Sequence, residues 1–115
     1  MSVIENGDRR RSERFRTINL ISYRDSADNG ETIETGMART LDLSENGALI
    51  KLQKPLTNPN IAELEMALED EIICLTGNVI EQFQASDGFW CVRIDFSDLT
   101  PFVRHKLSTF IMNLV

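Results

Sequence analysis

The sequence is poor in the residues that build metal-held or disulfide-held folds, and in those that build the common active sites. Of its 115 residues, two are cysteine and one is histidine. Cys74 and Cys91 have neither CxxC spacing nor paired histidines, so an ordinary zinc site is excluded and buried free thiols are the simpler reading. A chain of this length removes roughly two-thirds of its unfolded surface from water and needs no staple. Any Ser-His-Asp or Cys-His site would have to be built on His105, which stands between Arg104 and Lys106 on what reads as a solvated helix face. Neither a P-loop nor a GxGxxG is present, and the plentiful carboxylates show no spacing that singles out a catalytic pair. The expectation is no reaction, no metal and no catalytic cofactor.

Long apolar runs are missing too. None approaches the roughly 20 residues a bilayer crossing requires, and the opening MSVIENGDRRR lacks the apolar core of a secretory signal. One cytoplasmic domain with no membrane span is expected.

Charge is unevenly placed. The chain carries a net −6 with a pI near 4.7, an average that argues against nucleic acid as a partner. Residues 9–16, RRRSERFR, nevertheless hold five arginines against one glutamate, a local +4 that leaves −10 on the rest. A basic segment on an acidic body suits a small anionic ligand better than a long polyanion, which the remaining surface would repel. A solvated basic arm is the plain alternative.

Along the chain, residues 1–8 read as a flexible polar lead. Phe15, Ile18, Leu20, Ile21 and Tyr23 suggest a strand ending near Arg24, followed by a polar turn from Asp25 to Glu31. A second strand is expected from Thr32 to Leu43, where Ile33, Met37 and Leu41 share a parity. Its partner, Ala48 to Leu52, would be joined through Ser44-Glu45-Asn46-Gly47, with Asn-Gly tolerating positive φ. Pro55 to Asn60 reads as a loop. Leu64, Met66 and Leu68 alternate with Glu63, Glu65 and Glu69, a half-buried strand with a solvated carboxylate face. Glu71–Phe83 and Phe89–Phe96 form a hairpin around Ser86-Asp87-Gly88, with Trp90, Val92, Ile94 and Phe96 on its apolar face. From Pro101 the spacing of Val103, Leu107, Phe110, Ile111 and Leu114 turns helical, with Thr100 as N-cap. The expected fold is all-β: a small six-stranded antiparallel barrel over residues 15–96, with a C-terminal α-helix over 101–115 covering one opening.

Two short motifs stand out. Arg10-Arg11-Ser12-Glu13-Arg14 is an RxxxR preceded by Arg9, and Asp42-Leu43-Ser44-Glu45-Asn46-Gly47 is a DxSxxG at a strand end. In this order, in an all-β chain ending in a helix, they resemble the PilZ domain family, whose members bind the bacterial second messenger cyclic di-GMP. The resemblance runs from about Asp8 to the carboxyl end and includes Cys91-Val92-Arg93-Ile94-Asp95-Phe96, which is similar to that family's last barrel strand. It implies a domain over 9–115, an arginine loop over 9–16 that wraps the ligand, and a polar strand end that holds a guanine.

The residue chemistry is independently suitable. An arginine fork meets phosphate oxygens or the O6/N7 edge of guanine in bidentate fashion and stacks on a base, which suits Arg10 and Arg14. Arg9 and Arg11 are weighed evenly between ligand contact and solvation. Guanine's other edge presents N–H donors to an acceptor such as Asp42. Ser44 follows on the same face, and Gly47 permits close backbone approach. Asp42 and Ser44 also suit a turn cap, and Phe89 and Trp90 suit either base stacking or, for Trp90, the core. The resulting expectation is a receptor that binds cyclic di-GMP and relays the signal to an unidentified effector protein in bacterial motility or biofilm regulation. The alternatives are a PilZ-like interaction adaptor without nucleotide, and a small nucleic-acid-binding barrel.

Overall fold

The computed structural model describes residues 19–68 and 71–113. Among them run six strands and a helix: β1 (Asn19–Ser26), β2 (Thr32–Ser44), β3 (Gly47–Leu52), β4 (Ile61–Leu68), β5 (Glu71–Gln84), β6 (Trp90–Asp95) and α1 (Pro101–Met112). The strands are antiparallel and close into a barrel in the order β1-β2-β3-β6-β5-β4. Closure removes the bare sheet edges that would otherwise invite other chains. The ring is shut by a short ladder in which Ser22, Tyr23 and Arg24 of β1 face Glu65, Leu64 and Glu63 of β4.

Alternation places one side of every strand in the core. Ile21, Ala38, Ile50, Leu64, Met66, Leu75, Val92 and Ile94 fill the interior, with Phe96 beyond the end of β6. Leu107, Phe110 and Ile111, one stripe of α1, are buried with them, which is what holds so short a helix together. Thr100 caps it by accepting from the Val103 N–H at 3.3 Å, and Pro101 occupies the first turn, where no N–H is needed.

The parity shared by Ile33, Met37 and Leu41 is not the core face. Ile33 and Met37 point to solvent, at 49% and 58% exposure, while Ala38 and Thr40 are buried. A bulge then intervenes: Thr40 faces Ile50 but Asp42 faces Leu49, so Leu41 is an extra residue. Past it the faces exchange, and Leu43 turns inward. Strand β5 does the same, with Ile80 extra between Val79, which faces Ile94, and Glu81, which faces Arg93.

Other expectations shift for local reasons. Strand β1 runs two residues past Arg24, because buried Asp25 accepts from the Thr57 and Asn58 N–H groups at 2.7 and 3.1 Å and ties the β3–β4 loop to the strand end. Cys91 is buried as expected, but Cys74 is exposed on the outer side of β5. Trp90 is only partly buried, at the start of β6, where it pairs with Gln84 beside the connecting turn of the hairpin. Glu63 is not merely solvated, since it accepts from Arg24 Nε at 3.0 Å.

Candidate functional site

The two bulges flank one outer face of the barrel, formed by β2, β3, β6 and β5. Register puts Asp42, Leu49, Arg93 and Glu81 on one row across these strands, and Ser44, Gly47, Asp95 and Asn78 on the next. Without the extra Leu41, Asp42 would share the inward parity of Ala38 and Thr40. The bulge therefore converts a core position into a surface acceptor. Asp42, Ser44, Asn46, Gly47, Arg93 and Asp95 all line a shallow depression of about 140 Å³ on this face.

Ser44 has a local task as well as a place on this face. Its hydroxyl accepts from the Asn46 N–H at 3.1 Å and donates to the Gly47 carbonyl at 3.4 Å, which closes the turn between β2 and β3. Gly47 is required by proximity rather than by backbone twist. Among the described glycines only Gly30 and Gly88 have positive φ, so the expectation that Gly47 supplies such a residue is corrected. A Cβ at Gly47 would instead run into the carbonyl oxygen of Ile94 on the neighbouring strand.

The rest of the face was not singled out by motif. Arg93 donates from Nε to Glu81 Oε2 at 3.2 Å. Asp95 accepts from the Ser97 hydroxyl and, at 3.1 Å, from the Ser97 N–H. These hydrogen bonds, with lesser help from Arg104, hold its carboxyl below the ordinary 3.8 despite some opposing desolvation. Asn78 donates to Asp98 at 2.8 Å. Arg93 and Asp95 belong to the Cys91–Phe96 strand segment of the resemblance, but the sequence assigns them no site role; their place here follows from the pairing of β6 with β3 and β5. Among the described residues that line these two rows, acceptors outnumber cations: Asp42, Asp95 and Glu81 accompany the guanidinium of Arg93, with Arg104 acting on Asp95 from α1. Such a face reads N–H donors well and binds phosphate poorly by itself.

Arg9, Arg10, Arg11 and Arg14 lie outside the described residues. The chain nevertheless enters β1 at Asn19, which faces Thr40 of β2, two residues before Asp42. Residues N-terminal to β1 are thus attached at the end of the barrel that carries the depression. A larger groove, about 510 Å³, is lined by residues of β1, β2, β4 and β5 including Tyr23, Arg24, Glu63 and Cys74, and contains none of the motif residues. Both are lined by polar side chains; the larger groove has the greater volume, and the smaller depression holds the DxSxxG residues. Among the described residues, no group of three His, Cys, Asp or Glu side chains is placed to hold a metal ion, and no helix is long and apolar enough to cross a membrane.

A closed six-stranded barrel with a terminal helix and a polar strand end beside its chain entry defines a class. The family model of the PilZ domain matches residues 8–113, and the chain belongs to that family. Among solved structures it is similar to MrkH of K. pneumonia in complex with c-di-GMP, at a TM-score of 0.68 and 20% identity over 93% of this chain and 52% of that one. It is also similar to the Bacillus subtilis inhibitor of motility MotI/DgrA, at 0.67 and 14% over 93% and 51%. A third similarity is to the PilZ domain of CeSA from a cellulose-synthesizing bacterium, at 0.65 and 19% over 90% and 98%. The chain spans about half the length of the first two. No curated protein matches it.

Proposed function

We propose that the chain is a receptor for cyclic di-GMP that carries out no reaction of its own. The observation that carries this reading is the placement of Asp42, Ser44 and Gly47 on one outer face, at the barrel end where the arginine-bearing chain enters β1. The two parts are chemically complementary. The strand face supplies acceptors for a guanine N–H edge, and Arg10 and Arg14 supply the forks for phosphate and for the other guanine edge. A depression of about 140 Å³ falls short of the few hundred Å³ typical of a closed ligand pocket. On this reading the arginine segment completes the site from above.

Support also comes from similar structures whose own ligand is cyclic di-GMP, MrkH and the PilZ domain of YcgR from Escherichia coli. The signal then passes to a protein partner through ordering of residues 9–14. Four arginines in six positions with no apolar side chain repel one another, and two ligand phosphates would cancel that repulsion.

Calorimetry tests the receptor reading: cyclic di-GMP should bind, while GTP, cyclic GMP and short oligonucleotides should not. Absence of cyclic di-GMP binding would leave the nucleotide-free adaptor. Trypsin tests the relay, because cleavage between Arg9 and Arg16 should be fast without ligand and strongly slowed at saturation. Equal rates in both states would reject the ordering step.

A further inference from the structure

The turn that carries the site is held from outside its own hairpin. Arg104, in the first turn of α1, donates from Nη1 to the Glu45 carbonyl at 3.0 Å and from Nη2 to the Phe96 carbonyl at 2.6 Å. One helical turn further on, the Ser108 hydroxyl donates to the Glu45 carboxylate at 3.0 Å. The Phe96 N–H closes the set by donating to the Asn46 carbonyl at 2.9 Å. One guanidinium thus spans two backbone carbonyls, one in the β2–β3 turn and one just past the end of β6.

Attachment of the helix does not need this fork. Leu107, Phe110 and Ile111 already bury the inner stripe of α1 in the core. What the fork adds is position. Glu45 lies between Ser44 and Asn46, and a planar, five-donor group fixes its carbonyl relative to Phe96 in both distance and angle. A lysine ammonium has donors for both carbonyls but no rigid fork to fix the angle between them. Arg104 does not itself line the depression, whereas the residues on both sides of Glu45 do.

We infer that Arg104, assisted by Ser108, is a positioning residue for the ligand site: it holds the Ser44–Gly47 turn in the arrangement that receives the ligand. The inference rests on the cyclic di-GMP reading above. A turn that must be ordered at the moment of binding loses affinity by the cost of that ordering, and fixing even one residue is worth about tenfold.

The experiment compares wild type, Arg104→Ala, Arg104→Lys and two controls, by calorimetry with cyclic di-GMP and by amide hydrogen exchange on the free proteins. His105→Ala, on the same helix but exposed, controls for the helix surface. Met66→Ala, in the core of β4, controls for lost stability. Arg104→Ala should weaken binding about tenfold and speed exchange at Asn46 and Gly47 while leaving the Ile50 and Val92 amides as slow as the loss of global stability allows. Arg104→Lys should recover only part of both effects. Met66→Ala should lower the unfolding midpoint and leave affinity of the folded protein unchanged, as should His105→Ala for both readouts. Exchange at the turn unchanged in Arg104→Ala overturns the inference, and so does faster exchange with unchanged affinity. An affinity loss of equal size in Met66→Ala overturns it as well, by reducing the effect to stability. A wild-type chain that takes up no cyclic di-GMP overturns the receptor reading itself, and the ligand part of this inference with it.

Discussion

The two ends of β2 carry the same dipeptide and use it differently. At one end, Asn29-Gly30 lies in a turn closed by its own atoms: Ala27 N–H donates to Glu31 O, Gly30 N–H to Ala27 O, and Glu31 N–H to Asn29 Oδ1. At the other, Asn46-Gly47 lies in a turn that Ser44 closes from within and that β6, Phe96 and α1 also hold from outside. Gly30 is there because its φ is +89°, with nothing close to where a Cβ would stand. Gly47 is there because a neighbouring carbonyl leaves no room. The first glycine answers to the backbone of its own turn and the second to another strand, so identical letters carry a local meaning in one place and a tertiary meaning in the other.

The largest effect that would break this comparison is expected near the local turn. Asp25 is buried and satisfies two backbone N–H groups of the β3–β4 loop. Asp25→Ala should cost about 3 kcal/mol, since the buried Asn58 N–H and the partly buried Thr57 N–H both lose their acceptor, and an orphaned buried donor costs roughly 1–3 kcal/mol. Urea unfolding measures this, and cyclic di-GMP affinity of the folded fraction should not change. Gly47→Ala comes next, with a loss of about 2 kcal/mol from overpacking against rigid backbone and a loss of binding. Gly30→Ala should cost only about 1 kcal/mol, the strain of a Cβ at positive φ, with affinity intact. If Gly30→Ala cost as much as Gly47→Ala, or harmed binding, the division between the two turns would be wrong.

Two further predictions, with little effect on stability, sharpen it. Asp42→Ala should weaken cyclic di-GMP roughly 10- to 150-fold, the loss of a charged hydrogen-bonding group, and should narrow the preference over the adenine analogue; stability should hardly move. An unchanged preference would assign Asp42 to the turn alone. The acid limb of the stability curve is the last. The lowered pKa of Asp95 means the folded state favours its charged form, so this contribution is present above 3.8 and is lost as pH falls through the lowered value. Asp95→Asn should flatten that part of the curve slightly, measured by thermal unfolding between neutral pH and the acid limb. Exposure and salt keep the effect small.

Most of the architecture was legible because hydrophobic alternation and turn chemistry are local. The six strands, the helix start at Thr100-Pro101 and the β5–β6 hairpin follow from residues within a few positions of one another. The β2–β3 turn at the DxSxxG motif was legible for the same reason. What the pattern missed is where a strand changes faces. Ile33 and Met37 look like a core stripe, but the core of β2 is Ala38 and Thr40, and only a bulge at Leu41 returns Leu43 to the interior. A bulge is chosen by the partner strands, so nothing in residues 38–44 announces it. Arg104 was misread for a similar reason. Beside His105 and Lys106 it looks like one more solvated charge, yet its partners Glu45 and Phe96 are fixed by tertiary packing. Cys74, read as buried, lies on the outer face of β5.

The short ladder between β1 and β4 makes the barrel a clasp rather than a welded ring. Among the described residues, Ser22, Tyr23 and Arg24 are the ones paired across it, with the Arg24–Glu63 ion pair alongside. A clasp concentrates mechanical compliance: a pull on the chain ahead of Asn19 is delivered to the strand that closes the ring. If the clasp parts, β1 and β4 each present an unpaired backbone edge, and the natural mate for either is its counterpart in a second molecule. The closing ladder is therefore the place where strand exchange between copies would begin, and lengthening it by better pairing would be the direct way to suppress such exchange.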